Sequence, residues 1–129
     1  MYQLIRTWGL LLLFSLPSSI TVAQFIRAKT PLTIASYGTF SVGDTLVLGQ
    51  GSGPLSHYRY IHEKQTFFNL EPVSLASGHQ GQRVVIQAVQ YWQGWHHQWP
   101  YLLIRVNDQV YRVALTEALQ ANEVLPHSP

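Results

Sequence analysis

Three apolar stretches in close succession constrain this chain most. Arg83–Trp92 is long and rich in Val, Ile and aromatic residues, and Tyr101–Val106 and Val110–Leu115 follow it. Runs dominated by β-branched and aromatic residues read as strands. Asn107-Asp108 separates the second run from the third, and both residues tolerate the left-handed backbone of a two-residue hairpin turn. The centre of the fold is therefore expected to be an antiparallel meander built on one long hairpin. In its first strand Val84, Ile86 and Ala88 share a face, and Val85, Val89 and Tyr91 share the other. A bulge is expected where the pattern blurs near Gln90.

The remaining elements are shorter. Leu32–Ala35 reads as a strand or a segment laid along the core, and Thr45–Leu48 as a short buried strand. Between them Ser41–Asp44 reads as a turn, with Gly43 able to take positive φ and Asp44 able to bond nearby backbone. Gly49–Pro54 is expected to be a flexible loop. In His57–His62, Tyr58, Tyr60 and His62 alternate onto one face, expected to be the inner one. Phe67 and Phe68 are expected to fold back over the core, with Glu71–Ala76 irregular and Ser77–Gln82 a turn. Thr116 is an N-cap type residue ahead of good helix formers, which predicts one or two helical turns over Thr116–Ala121. Five short strands and one terminal helical turn make an all-β class, a small barrel or half-open roll.

The chain has 129 residues, enough for one domain. Residues 1–23 read as a secretory signal peptide. MYQLIRTW carries one cation, GLLLLFSL is apolar, Pro17 breaks the run, and Thr21-Val22-Ala23 offers a cleavage site before Gln24. The apolar run is shorter than the ~20 residues that span a bilayer, so no stable membrane insertion is expected after cleavage. Residues 24–37 form an N-terminal arm or extra strand, 38–125 the β domain and 126–129 a tail. With no cysteine there are no disulfides and no lipid attachment through an N-terminal Cys. Eight Lys and Arg stand against six Asp and Glu, scattered without a basic run. That near-balance argues against nucleic acid as a partner. A secreted or periplasmic location follows from the leader.

Val42-Gly43-Asp44-Thr45-Leu46-Val47-Leu48-Gly49, then Tyr58-Arg59-Tyr60-Ile61, then Gly81-Gln82-Arg83-Val84-Val85-Ile86 resemble a group of small secreted Bacteroidetes-type proteins. These share a GDTLxLG strand, a YxYI strand, a GxxVxI strand, a hairpin and a short terminal helix. The resemblance covers Phe40 to Val124. It implies a five-stranded SH3-like β-barrel and, because it rests on core and turn residues, it carries over no catalytic residue. The hairpin tip departs from the group, where Lys and Gly are usual and Trp95, His96, His97 and Trp99 stand here.

That tip, YWQGWHHQWPY from Tyr91 to Tyr101, holds three of the chain's four tryptophans. The fourth, Trp8, leaves with the signal peptide. Two readings stand side by side. In one, Trp92 and Trp99 flank the neck of a loop over Gln93–Gln98 and only pin the hairpin. In the other, Tyr91, Trp92, Trp95, His96, His97, Trp99 and Tyr101 form a binding platform, since flat aromatic faces suit a sugar ring or an extended peptide. His96 and His97 are adjacent and point apart in extended chain, so they do not make one metal site, and no Asp, Glu or Cys lies near them in sequence. His57, His62 and His79 would have to approach through the fold. No metal or cofactor is expected. No G-x-S-x-G elbow, phosphate loop or paired carboxylates are present, and only Glu63, beside His62, is a loose acid candidate. The expectation is a non-catalytic binding module for a cell-envelope polysaccharide, peptide or protein. The alternative is a structural or protein-interaction subunit whose Trp-rich hairpin is buried in a partner or in a second copy.

Overall fold

In the computed structural model of the chain, residues 24–28, 31–64 and 73–126 are described. The expected signal segment, Phe67 and Phe68, and the last three residues lie outside them. Among the described residues eight strands run in order: β1 (Gln24–Arg27), β2 (Leu32–Ile34), β3 (Gly38–Phe40), β4 (Thr45–Val47), β5 (Ile61–Glu63), β6 (Arg83–Gln93), β7 (Gln98–Val106) and β8 (Gln109–Ala114). A short helix, α1 (Leu115–Gln120), follows directly.

The predicted meander is the spine. β6 and β7 pair antiparallel from Ile86↔Ile104 to Gln93↔Gln98, and β7 pairs with β8 from Tyr101↔Ala114 to Val106↔Gln109. Asn107 and Asp108 take φ of 49° and 66°, the left-handed pair that a tight hairpin needs. β5 pairs with β8 on the far side. Two strands divide the other edge of β6. β4 takes Arg83–Val85 and β1 takes Gln90–Gln93. Gly43, Asp44 and Ala28 bond Ile86 and Val89 in between. β2 and β3 form a separate hairpin that brings Leu32 and Phe40 to the core.

Several expectations are corrected here. Of the two readings of the N-terminal stretch, Gln24–Arg27 takes the extra strand. Among the described residues the sheet stays open and no closed barrel forms. The physical reason lies at β5, whose outer edge bonds Val73 and Leu75 (Glu63 N–H to Val73 O, Leu75 N–H to Ile61 O), leaving no ladder to join β1 or β4. The bulge of β6 falls between Ile86 and Ala88 rather than near Gln90. It flips the alternation early, so Val89 and Tyr91 follow Val84 and Ile86 to the core, while Ala88, Gln90 and Trp92 turn to the opposite face. The helix begins at Leu115, with Ala114 at the N-cap and Thr116 inside the first turn.

The loop Gly49–Pro54 is held in place rather than flexible. A Cβ at Gly49 would sit 1.9 Å from Asn122 O, and one at Gly51 2.0 Å from Ser56 O. Only glycine admits such close backbone approach. The fully buried Glu123 carboxylate locks the arrangement. It accepts from Ser52 N–H (2.9 Å), Ser52 Oγ–H (2.6 Å), Arg59 N–H (2.6 Å) and Tyr60 N–H (2.8 Å). The Tyr58 hydroxyl donates to Gly49 O beside it. Burial, then the nearby Glu123 charge, raises the Tyr58 pKa above its ordinary value. Glu123 is thus the tie between the C-terminal segment and two distant loops. No helix among the described residues is long and apolar enough to cross a membrane.

Candidate functional site

The run Tyr101-Leu102-Leu103-Ile104 does not alternate in polarity, and the structure gives the reason. Leu102 and Ile104 enter the main core, whereas Leu103 and Ala88 are buried on the opposite face, outside that core. A strand buried on both faces reads as a continuous apolar run. Around Leu103 and Ala88 this second face collects Phe25 from β1, Trp92 from β6, Tyr101 from β7 and Arg112 from β8. The register places them together: Phe25 pairs with Trp92, Trp92 with Trp99, and Gln90 with Tyr101.

The rings meet edge to face. Phe25 lies 4.7 Å from Trp92 at 63° and 5.1 Å from Tyr101 at 87°, the geometry favoured by the aromatic quadrupole. The Arg112 guanidinium sits over the Phe25 ring, its Cζ 3.6 Å from the centroid, a cation–π contact. These residues wall an open cleft of about 590 Å³, completed by Tyr60 and His62 at and beside β5, Arg59, Glu63, Ala114 and Glu117. The volume is in the range of small-ligand sites.

The electrostatics of the cleft are those of a half-dry surface. Burial lowers the Arg112 pKa, offset in part by Tyr101. Tyr101 is raised by burial and by Glu117, with Arg112 opposing. Burial lowers His62, and the more distant Glu123 charge opposes that shift. Among the described residues, two buried polar atoms on this face have no hydrogen-bond partner, Arg112 Nε and Gln90 Oε1.

The expected site residues divide. Trp92 and Tyr101 line the cleft. Tyr91 packs against the main core instead, because the early bulge sets it on that face. The expected loop is shorter by its two ends: Gln93 and Gln98 pair, and Gly94 N–H bonds His97 O (2.9 Å). Trp95 is 87% exposed at the tip, and His96 and His97 are exposed beside it. Trp99 lies over the turn, its ring tilted against His97 at 5.8 Å and crowding the position of a Gly94 Cβ. So the seven residues do not form one platform; they split between cleft, core and tip. No group of three or more His, Asp or Glu that could hold a metal ion occurs among the described residues.

The sequence reading missed Phe25, Tyr60, His62 and Arg112 as cleft residues. Tyr60 and His62 had been expected on the inner face with Tyr58. The chain bends at Arg59 and Tyr60 before β5 begins, so Tyr58 and Ile61 are the buried pair, while Tyr60 and His62 reach the cleft. Tyr60 also packs against the edge of the core. Arg112 carried a usable signal, a cation inside the apolar run Val110–Leu115. No protein-family model, curated protein or solved structure matches this chain.

Proposed function

We propose that this chain is a secreted or periplasmic, non-catalytic binding module that takes a cell-envelope glycan in the cleft on the outer face of its long hairpin. One observation carries the reading. A face of the sheet turned away from the main core holds three clustered aromatic rings, a cation and a cavity of about 590 Å³. Aromatic faces stack on the apolar side of sugar rings, and the Tyr101 hydroxyl and Glu117 carboxylate offer polar partners to sugar hydroxyls. The same proposal includes membership of the small secreted SH3-like group, with the barrel left open at β5.

The test is binding of soluble envelope oligosaccharides by calorimetry, with product analysis alongside. The expected result is saturable binding that Trp92→Ala abolishes and Trp95→Ala leaves largely intact. New reducing ends in the reaction would contradict the non-catalytic reading.

A second reading is favoured by Trp95 itself. An indole 87% exposed at a hairpin tip is an anchor suited to a protein interface. On that reading the hairpin inserts into a partner or a second copy. Concentration-dependent dimerisation that Trp95→Ala removes would support it.

A further inference from the structure

Resting on the binding reading, we infer that the cleft is specific for an acidic sugar, a hexuronate residue whose carboxylate sits on Arg112 and whose ring lies against Trp92 and Tyr101. Three observations converge. Arg112 is a half-buried cation that borders the cavity and is pinned in place over Phe25. Among the described residues its Nε has no hydrogen-bond partner. Among the described residues, the influences on it are burial first and then Tyr101, with no carboxylate among them. A desolvated cation without a counter-charge is costly. An anion delivered by a ligand offsets that cost, and a planar guanidinium matches a carboxylate in two parallel hydrogen bonds.

The rest of the cleft fixes the class of ligand. Glu117, on the first turn of α1, borders the same cavity, and its charge acts on Tyr101 in the opposite sense to that of Arg112. A carboxylate accepts hydrogen bonds and repels another anion. The ligand therefore turns hydroxyl groups toward Glu117 and its own carboxylate toward Arg112, which a hexuronate satisfies in one ring. A peptide bound by strand addition would instead need a free strand edge for its backbone. On the β5 side that edge is already bonded to Val73 and Leu75.

The experiment compares a glucuronate- or galacturonate-containing oligosaccharide with its neutral glucose or galactose counterpart, on wild type, Arg112→Gln and Arg112→Lys. Thermal unfolding of each variant is recorded first. Wild type should prefer the acidic sugar by roughly tenfold or more, the scale of a hydrogen bond to a charged group. Arg112→Gln should erase the preference, and Arg112→Lys should restore part of it. If Arg112→Gln fails to fold, the wild-type ratio and Arg112→Lys still decide. Equal binding of both sugars, lost in Trp92→Ala, would overturn the uronate inference and leave the glycan module standing. Binding of neither would overturn both, and binding of an acidic peptide in their place would overturn the sugar assignment.

Discussion

Trp92 and Trp99 are direct cross-strand partners on the long hairpin, yet their rings serve different surfaces. Trp92 turns inward to Phe25 and the cleft, while Trp99 lies over the turn against His97. The spacing that suggested a matched pair of indoles pinning the neck is real in register, but the rings have separate neighbours.

Gly94 explains the pose of Trp99. A Cβ there would stand 2.8 Å from Trp99 Cζ3, closer than carbon atoms pack. Gly94→Ala should push the ring outward at a cost of about 1 kcal/mol, within the range for overpacking. Tryptophan emission should shift to the red and quench more readily with acrylamide. Unchanged emission and stability would mean that Trp99 is not held by the turn.

Glu123 should be the most sensitive polar position in the fold. Glu123→Ala would strand three backbone N–H groups and the Ser52 hydroxyl. Each buried donor left without a partner costs about 1–3 kcal/mol, partly recovered by local rearrangement. Urea denaturation should show a loss of roughly 3 kcal/mol or more. A loss under about 1 kcal/mol, the scale of an exposed pair, would show that the carboxylate is not the tie described here.

Two glycines separate steric from torsional constraint. Gly49 faces backbone, with Asn122 O 1.9 Å from a virtual Cβ, whereas Gly43 has open space but φ of +90°. Gly43→Ala should cost about 1–2 kcal/mol of left-handed strain. Gly49→Ala should cost more, about 3 kcal/mol, because neither backbone segment can yield without disturbing Glu123. Thermal unfolding of the two variants ranks them, and the reverse order would contradict the packing.

Burial holds the His62 pKa below 6.5, with Glu123 opposing. The unfolded chain then takes up the proton more readily than the folded one. The stability contributed by neutral His62 is complete above pH 6.5 and falls away as the pH drops through the lowered value. His62→Gln should flatten the acid side of a stability–pH profile below pH 6.5. A profile unchanged by the substitution would place the titration elsewhere.

The parts of this fold legible in sequence were those set by local chemistry. Val and Ile runs marked β6 to β8, Asn107-Asp108 marked their turn, and Gly43 and Asp44 marked another. What stayed hidden depended on where single residues break a period. One extra residue in β6 moved Val89 and Tyr91 to the core and Trp92 to the cleft. One bend at Arg59 and Tyr60 moved His62 the same way. Phe25 lies in a segment too short to show alternation, and its place follows from pairing with β6. The run of aromatics drew attention to the correct hairpin, but half the cleft comes from β1, β5 and β8, which sequence proximity does not connect.

The central claim is that the cleft, not the exposed tip, is the contact surface. The most direct measurement uses single-tryptophan forms of the chain from Gln24 onward, with Trp95 and Trp99 replaced by Phe in one and Trp92 and Trp99 in the other. Each is titrated with envelope oligosaccharide. The account predicts that Trp92 emits toward the blue, resists acrylamide and changes on binding, while Trp95 emits to the red, quenches freely and stays silent. A response from Trp95 with none from Trp92 would contradict it and move the binding surface to the hairpin tip.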